Sequence, residues 1–175
     1  MGATTESMID SLRKFFYSFR YAGRGLWYCI ANERNFRIHL SMAFYVVLLA
    51  FLYRLQPAER GILLLCIALV LSAEMVNTAA EILVDMFSPG YSGMAKVVKD
   101  VSAGSVLVFA IFAAAIGLGI FWRPSEIQRI FAFLAGHPGW LAALAVFIAA
   151  DFFFVFTGPV KIGHAFRTAV KKYRR

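Results

Sequence analysis

Four long apolar stretches constrain this chain more than any other feature of its sequence. They occupy residues 38–55, 61–80, 101–122 and 139–157. Each is close to the roughly 20 residues that a helix needs to cross the hydrocarbon core of a bilayer. The chain is 61% hydrophobic and only 16% charged, and it has no long polar linker that would separate two soluble domains. We therefore expect one all-α transmembrane domain with four spans.

Basic residues predict the orientation of these spans. Of the 18 Lys and Arg residues, six precede the first span, two lie between the second and third, and six follow the fourth, which places 14 on one side. The other two loops hold only Arg54, Arg60, Arg123 and Arg129. The positive-inside rule therefore predicts that both termini and the 88–100 loop are cytoplasmic. The net charge of +8 is mostly juxtamembrane, which favours an anionic lipid surface as partner and argues against nucleic acid.

The residues before the first span have the pattern of a surface helix. Apolar side chains recur at steps of three and four residues, as at Leu12, Phe15, Phe16 and Phe19, with basic residues mainly on other faces. This pattern is typical of an amphipathic helix that lies in the headgroup layer. No compact apolar core leads to a cleavage site, so we do not expect a cleaved signal peptide.

A polar stripe follows the apolar beginning of the second span. Glu74, Asn77, Glu81 and Asp85 are spaced three, four and four residues apart, and they fall within an arc of about 80° on a helix. An ionised carboxylate at membrane depth costs about 2.5–3.5 kcal/mol, so such a residue indicates function by default. The alternative is a polar seam that only joins helices. Three acids suit that role poorly because they repel one another.

The predicted topology places several further charges near this stripe. The residues expected at the cytoplasmic face are Glu33, Glu81, Asp85, Lys99 and Asp100. Glu74 lies about 10 Å deeper than Glu81 along the helix axis. One acid near lipid depth and several at the aqueous boundary suit a reaction between a membrane lipid and a soluble, charged substrate.

Each of these residues has a chemical role that fits phosphoryl transfer. Glu33 and Glu81 offer oxygen ligands for Mg²⁺, and Lys99 is a mobile positive charge for phosphates. Asn77 can orient a carboxylate or hydroxyl. Glu74, removed from water, is a suitable base for a lipid hydroxyl. A rival hypothesis is a non-catalytic, cation-conducting bundle, but a conduit should carry acids across the whole bilayer, whereas these cluster on one side.

Three separate motifs resemble one known family. They are ANERNFRIHL at 31–40, AEMVNTAAEILVD at 73–85 and AKVVKDVSAGSVLV at 95–108. In this order they resemble the small bacterial integral-membrane lipid kinases, the prokaryotic diacylglycerol kinase and undecaprenol kinase family. The resemblance covers about residues 8–122 and is stronger to the undecaprenol kinase branch. The sequence contains no P-loop and no soluble-kinase signature.

The resemblance implies roles for individual residues. It implies that Glu74 is the catalytic base and contacts the lipid, and that Glu33 and Glu81 bind the metal. It implies a nucleotide site for ATP formed by Tyr21, Glu33, Asn77, Glu81, Gly90, Tyr91, Ser92, Lys99 and Asp100, and a lipid-side role for Lys14. It also implies a homotrimer of three-span subunits that share active sites between neighbours, in the bacterial cytoplasmic membrane.

We accordingly divide the chain into an interfacial helix at 1–35, a lipid kinase core at 36–122, and a linker, fourth span and basic tail at 123–175. The expected activity is ATP- and Mg²⁺-dependent phosphorylation of undecaprenol, with diacylglycerol as the alternative substrate. The family pattern does not extend to the fourth span. We expect this span to be a structural addition in which Asp151 pairs with a basic group or faces the bundle. His39 is interpreted as an interfacial residue, a weak candidate for contact with a lipid headgroup.

Overall fold

The protein is an all-helical membrane protein, as the sequence predicts. A computed structural model describes residues 2–88, 90 and 92–159. In this part of the chain the helices are α1 (Gly2–Asn32), α2 (Arg34–Leu52), α3 (Pro57–Phe87), α4 (Gly93–Phe121), α5 (Pro124–Gly136) and α6 (Pro138–Thr157). Of these, α2, α3, α4 and α6 are long and apolar enough to cross a membrane. The predicted basic tail lies outside the described residues.

The helix boundaries follow from local sequence signals. Pro57, Pro124 and Pro138 occupy first-turn positions, where a missing backbone N–H costs nothing. Before α3, the Gln56 backbone N–H donates to Glu59 Oε2 at 3.0 Å, as part of a capping box. Ser92 caps α4 by accepting a hydrogen bond from the Ala95 backbone N–H at 3.4 Å.

The predicted spans were partly wrong in their limits. The first was expected at 38–55, but α2 ends at Leu52 and the chain then turns through Arg54, whose φ is 50°. At the end of the bundle that carries Glu81 and Asp85, α3 continues to Phe87, beyond the predicted 61–80. At the same end α4 begins at Gly93, before the predicted 101–122. At 31 residues, α3 is about 46 Å long, whereas a bilayer core is about 30 Å thick. The last turns of α3 therefore reach the aqueous boundary.

A buried apolar cluster closes the end of the bundle opposite these charges. It comprises Ala50, Tyr53, Leu55 and Leu63. The α5 helix, which lies in the predicted linker, covers this cluster with Ile127 and Ile130. An Arg123–Glu59 ion pair and a 2.6 Å hydrogen bond from Arg129 to the Leu52 carbonyl hold α5 in place.

Helices α3 and α4 pack along each other, α2 packs on α3, and α6 packs on the other side of α2. Much of the apolar surface of α1 and α4 remains exposed in the single chain. Examples are Phe16 at 69% and Phe112 at 66% exposed. Such surface is expected where lipid or neighbouring copies surround the helices.

Candidate active site

Glu74 lies in the middle of the second span and is almost completely buried, with 4% of its surface exposed. It faces α2, where His39 Nε2 lies 3.5 Å from Glu74 Oε1. Glu33 and Glu81 both lie near enough to repel its negative charge. The structure thus brings together the three acids that the sequence proposed for catalysis and metal binding.

Asn77 connects Glu74 to the aqueous end of the stripe. It is buried, and its Nδ2 donates to Glu81 Oε1 at 2.9 Å, one helical turn further along. Asn77 Oδ1 is also buried and has no hydrogen-bond partner among the described residues. A buried polar atom without a partner is costly. Asn77 Oδ1 is therefore available to a ligand at this position.

Two cavities adjoin at His39, and Glu74 lines the smaller of them. The smaller, of about 240 Å³, is bordered by Asn35, His39, Glu74 and Asn77, with apolar residues of α4 on its far side. The larger is an apolar groove of about 710 Å³ between α2, α3 and α4. His39 lines both, and the groove extends from there to Tyr53, about 20 Å along α2. The Glu74 carboxylate thus lies in a small cavity that shares His39 with a long apolar groove.

The charged residues of the loop end form a second group. Lys99 Nζ lies 2.5 Å from Asp85 Oδ1, which joins the ends of α3 and α4. Asp85 lies about 16 Å beyond Glu74 along α3. Asp100 is exposed next to Lys99, and Gly90 lies in a bend before the Ser92 cap. Tyr91 was also assigned to the nucleotide site, but it lies outside the described residues.

The proposed site residues on α1 do not join this group within one chain. Tyr21 is 61% exposed, and its ring stacks on Tyr17 at a centroid distance of 6.5 Å. Tyr21 lies about 18 Å of helix before Glu33, and the exposed Lys14 lies about 28 Å before Glu33. If either residue belongs to the site, a neighbouring copy has to supply it.

Two contacts of the site were not predicted from the sequence. His39 was interpreted as interfacial, but it lies against Glu74. The available signal was a histidine in one apolar span and an acid in the next, but their contact depends on how the two helices are rotated. The Cys29 thiol, at the end of α1, is buried and lies close to the Thr78 side chain. Burial raises the pKa of the Cys29 thiol above its usual value.

The donor atoms of the site suit a magnesium–nucleotide complex. Within the described residues, no group of three or more His, Cys, Asp or Glu side chains is arranged to hold a metal ion. Mg²⁺ needs no such cage, because it binds through one or two carboxylates and keeps several positions for water and phosphate. The oxygen atoms of Glu33, Glu81 and Asn77 fit that requirement.

Comparison with known proteins agrees with these features. The prokaryotic diacylglycerol kinase family model matches residues 20–121. The chain is 42% identical to the undecaprenol kinase of Bacillus subtilis over 112 residues, which make up 64% of this chain and 91% of that protein. It is also 42% identical to the diacylglycerol kinase of Synechocystis over 101 residues, 57% of this chain and 58% of that protein. No solved structure matches the chain.

These matches confirm the family that the three motifs indicated. The family model covers the whole of α2, α3 and α4 and stops at residue 121, before α5 and α6. The buried carboxylate of Glu74, its acidic neighbours and most of the residues that line the apolar groove lie inside the matched region. The chain therefore belongs to the prokaryotic diacylglycerol kinase family and is a membrane lipid kinase, an enzyme that transfers phosphate to an alcohol.

Proposed function

We propose that this enzyme uses ATP and Mg²⁺ to phosphorylate undecaprenol to undecaprenyl phosphate. The observation that carries this proposal is the position of Glu74, which is buried and lines the smaller cavity, while His39 beside it lines both that cavity and the apolar groove. A long-chain alcohol with its chain in the groove would present its hydroxyl to this carboxylate. The similarity to an undecaprenol kinase over 91% of that protein supports the same substrate.

Glu74 acts as the general base in this proposal. It accepts the proton of the lipid hydroxyl while the hydroxyl oxygen bonds to the γ-phosphorus of ATP. The bond from that phosphorus to the β–γ bridging oxygen breaks, and ADP leaves. His39 Nε2 lies 3.5 Å from Glu74 Oε1 and holds this carboxylate oxygen on the side that faces α2.

The remaining residues bind the nucleotide. Glu33 and Glu81 would hold Mg²⁺, which neutralises charge on the phosphates when bound, and Asn77 orients Glu81 through their 2.9 Å hydrogen bond. Lys99 supplies positive charge to the phosphates after leaving Asp85. The resemblance further assigns Tyr21, Gly90, Tyr91, Ser92 and Asp100 to ATP and Lys14 to the lipid.

The assembly and orientation of the enzyme are also part of the proposal. We place both termini and the charged cluster on the cytoplasmic side of the bacterial membrane, where ATP is available. A homotrimer with shared sites would bring Lys14 and Tyr21 of one subunit to the acids of the next. The exposed apolar face of α4, including Phe112, is available for such packing, and the basic residues at the cytoplasmic face would contact anionic lipid.

Diacylglycerol is the second candidate substrate, and the Synechocystis relative supports it. We favour undecaprenol because the chain offers one continuous groove beside Glu74, which suits a single chain better than two. Membership in an enzyme family sets the cation-conducting alternative aside.

The direct test uses purified full-length protein in vesicles with undecaprenol, Mg²⁺ and ATP labelled at the γ-phosphate. The proposal predicts labelled undecaprenyl phosphate, identified by mass, and none when Mg²⁺ is chelated or undecaprenol is omitted. Label that appears only in phosphatidic acid when diacylglycerol is added would refute the substrate assignment. No labelled lipid from any alcohol would refute the activity.

A further inference from the structure

Helix α6 is attached to α2 by an acid inside the membrane. Asp151 accepts hydrogen bonds from Ser41 Oγ at 2.8 Å and Tyr45 Oη at 3.1 Å. These two hydroxyls lie one turn apart on α2. A carboxylate in a span is costly unless it is paired, so the two hydrogen bonds fix the register of α6 against α2. Phe147 adds an aromatic contact with Phe44, with ring centroids 5.2 Å apart.

Arg37 makes the second attachment and joins the ends of two helices. It is only 5% exposed. Its Nε donates to the Val155 carbonyl of α6 at 2.9 Å, and its Nη1 donates to the carbonyls of Ile30 at 3.0 Å and Ala31 at 3.2 Å. These carbonyls belong to the last turns of α6 and α1, where helices leave acceptors unsatisfied and carry partial negative charge.

A glycine leaves room for this guanidinium. Gly158 ends α6 with φ of +75°, and a Cβ atom added there would lie 3.2 Å from Arg37 Cζ. A larger residue would therefore be strained at this φ and would also crowd the guanidinium. The contact between α6 and the end of α1 depends on Gly158 as well as on Arg37.

The end of α1 also contacts α3, the helix that carries Glu74 and Glu81. Cys29 is buried against Thr78, and Thr78 follows Asn77 directly on α3. Glu33 connects α1 to α2, and its carboxylate acts on Glu74. The position of the last turn of α1 therefore determines where Glu33 lies relative to the acids of α3.

We infer that α6 is a positioning element for the active site, in which Asp151 and Arg37 hold the corner between α1 and α2, and with it Glu33, against α3. The inference rests on the proposed function, because the role of Glu33 in Mg²⁺–nucleotide binding is part of that proposal. It adds a role for a helix outside the family match, which ends at residue 121. Asp151 and Arg37 are positioning residues, since they act through Glu33.

The test compares Gly158→Ala with the matched control Gly139→Ala in the full-length chain. Gly139 also lies on α6, and nothing lies within 4 Å of a Cβ added there. Gly158→Ala is expected to raise the Mg²⁺ concentration for half-maximal activity about tenfold, without a change in KM for undecaprenol. Gly139→Ala is expected to match the parent.

A thiol measurement reports the position of α1 without using activity. In a Cys66→Ala background Cys29 is the remaining cysteine, and its reaction with a maleimide is slow in the parent because it is buried. Gly158→Ala is expected to accelerate this reaction at least several-fold, whereas Gly139→Ala is not. A merely structural anchor for the bundle would change thermal stability but would move neither the Mg²⁺ requirement nor the thiol reaction.

A second variant keeps the inference testable if Gly158→Ala does not assemble. The double change Ser41→Ala and Tyr45→Phe removes both donors to Asp151 and leaves the backbone of α6 intact. Parent-like Mg²⁺ titration and thiol reaction in the variants that assemble would overturn the inference. A parent enzyme that phosphorylates no lipid would instead refute the proposed function, while the Cys29 reaction would still decide whether α6 positions α1.

Discussion

Replacing Glu74 by glutamine tests the catalytic base with the least structural change. Glutamine keeps the shape of the side chain and a carbonyl oxygen toward His39, but it does not accept the proton of the lipid hydroxyl. Loss of a general base typically lowers turnover by about 10²–10⁴-fold, equivalent to about 2.7–5.4 kcal/mol of activation free energy at 1.36 kcal/mol per decade. Because Glu74 is 4% exposed, bulk water is a poor substitute, and we expect a loss in the upper part of this range.

The same substitution is not expected to unfold the protein. Glu74 is repelled by Glu33 and Glu81, so a neutral side chain at this position relieves like-charge repulsion. The thermal midpoint of Glu74→Gln should therefore equal or exceed that of the parent. This combination of lower turnover and undiminished stability distinguishes a catalytic carboxylate from a structural one.

The assay is the initial rate of lipid phosphorylation at saturating ATP and Mg²⁺, with assembly checked by size-exclusion chromatography. Glu126→Gln is the matched control, because Glu126 lies on α5 and pairs with Arg129, outside the proposed site. We expect its rate to stay close to that of the parent. A Glu74→Gln enzyme with near-normal turnover would refute the role of Glu74 as base.

Three further predictions concern the metal, the nucleotide and the last helix. Glu33→Gln or Glu81→Gln is expected to raise the Mg²⁺ concentration for half-maximal activity at least about tenfold, and metal titrations that overlay the parent curve would remove both residues from the metal site. Lys99→Met is expected to raise KM for ATP about tenfold, because a charge-assisted hydrogen bond to phosphate is lost. KM for undecaprenol should stay unchanged in the same titrations. An unchanged KM for ATP would argue against phosphate binding by Lys99. A chain that stops after Arg123 should still insert and phosphorylate lipid, with a lower thermal midpoint and a higher Mg²⁺ requirement; an assembled but inactive product would place α6 in the site itself.

The sequence predicted the spans and the polar stripe well because both depend on periodicity along one helix. A bilayer fixes the length of an apolar span, and residues four apart share a helix face, as the hydrogen bond from Asn77 to Glu81 illustrates. The first two turns of α4, from Gly93 to residue 100, were missed because hydropathy detects the apolar part of a helix and not its polar extension.

Contacts between helices were beyond the reach of the sequence. The approach of His39 to Glu74 and the hydrogen bonds of Asp151 with Ser41 and Tyr45 depend on how each helix is rotated about its axis. That rotation is set by packing against neighbours. Asp151 was expected to pair with a basic group or face the bundle, and it faces α2 with two hydroxyl partners.

Competition between two lipid alcohols in the same membrane tests the central claim most directly. Vesicles that contain equal amounts of undecaprenol and diacylglycerol are incubated with the purified enzyme, Mg²⁺ and γ-labelled ATP, and the two phosphorylated lipids are separated and counted. With Glu74 in the cavity that shares His39 with a single apolar groove, we predict that undecaprenyl phosphate carries most of the label and that Glu74→Gln strongly reduces both products. Label that accumulates mainly in phosphatidic acid would contradict the account of how this enzyme selects its substrate.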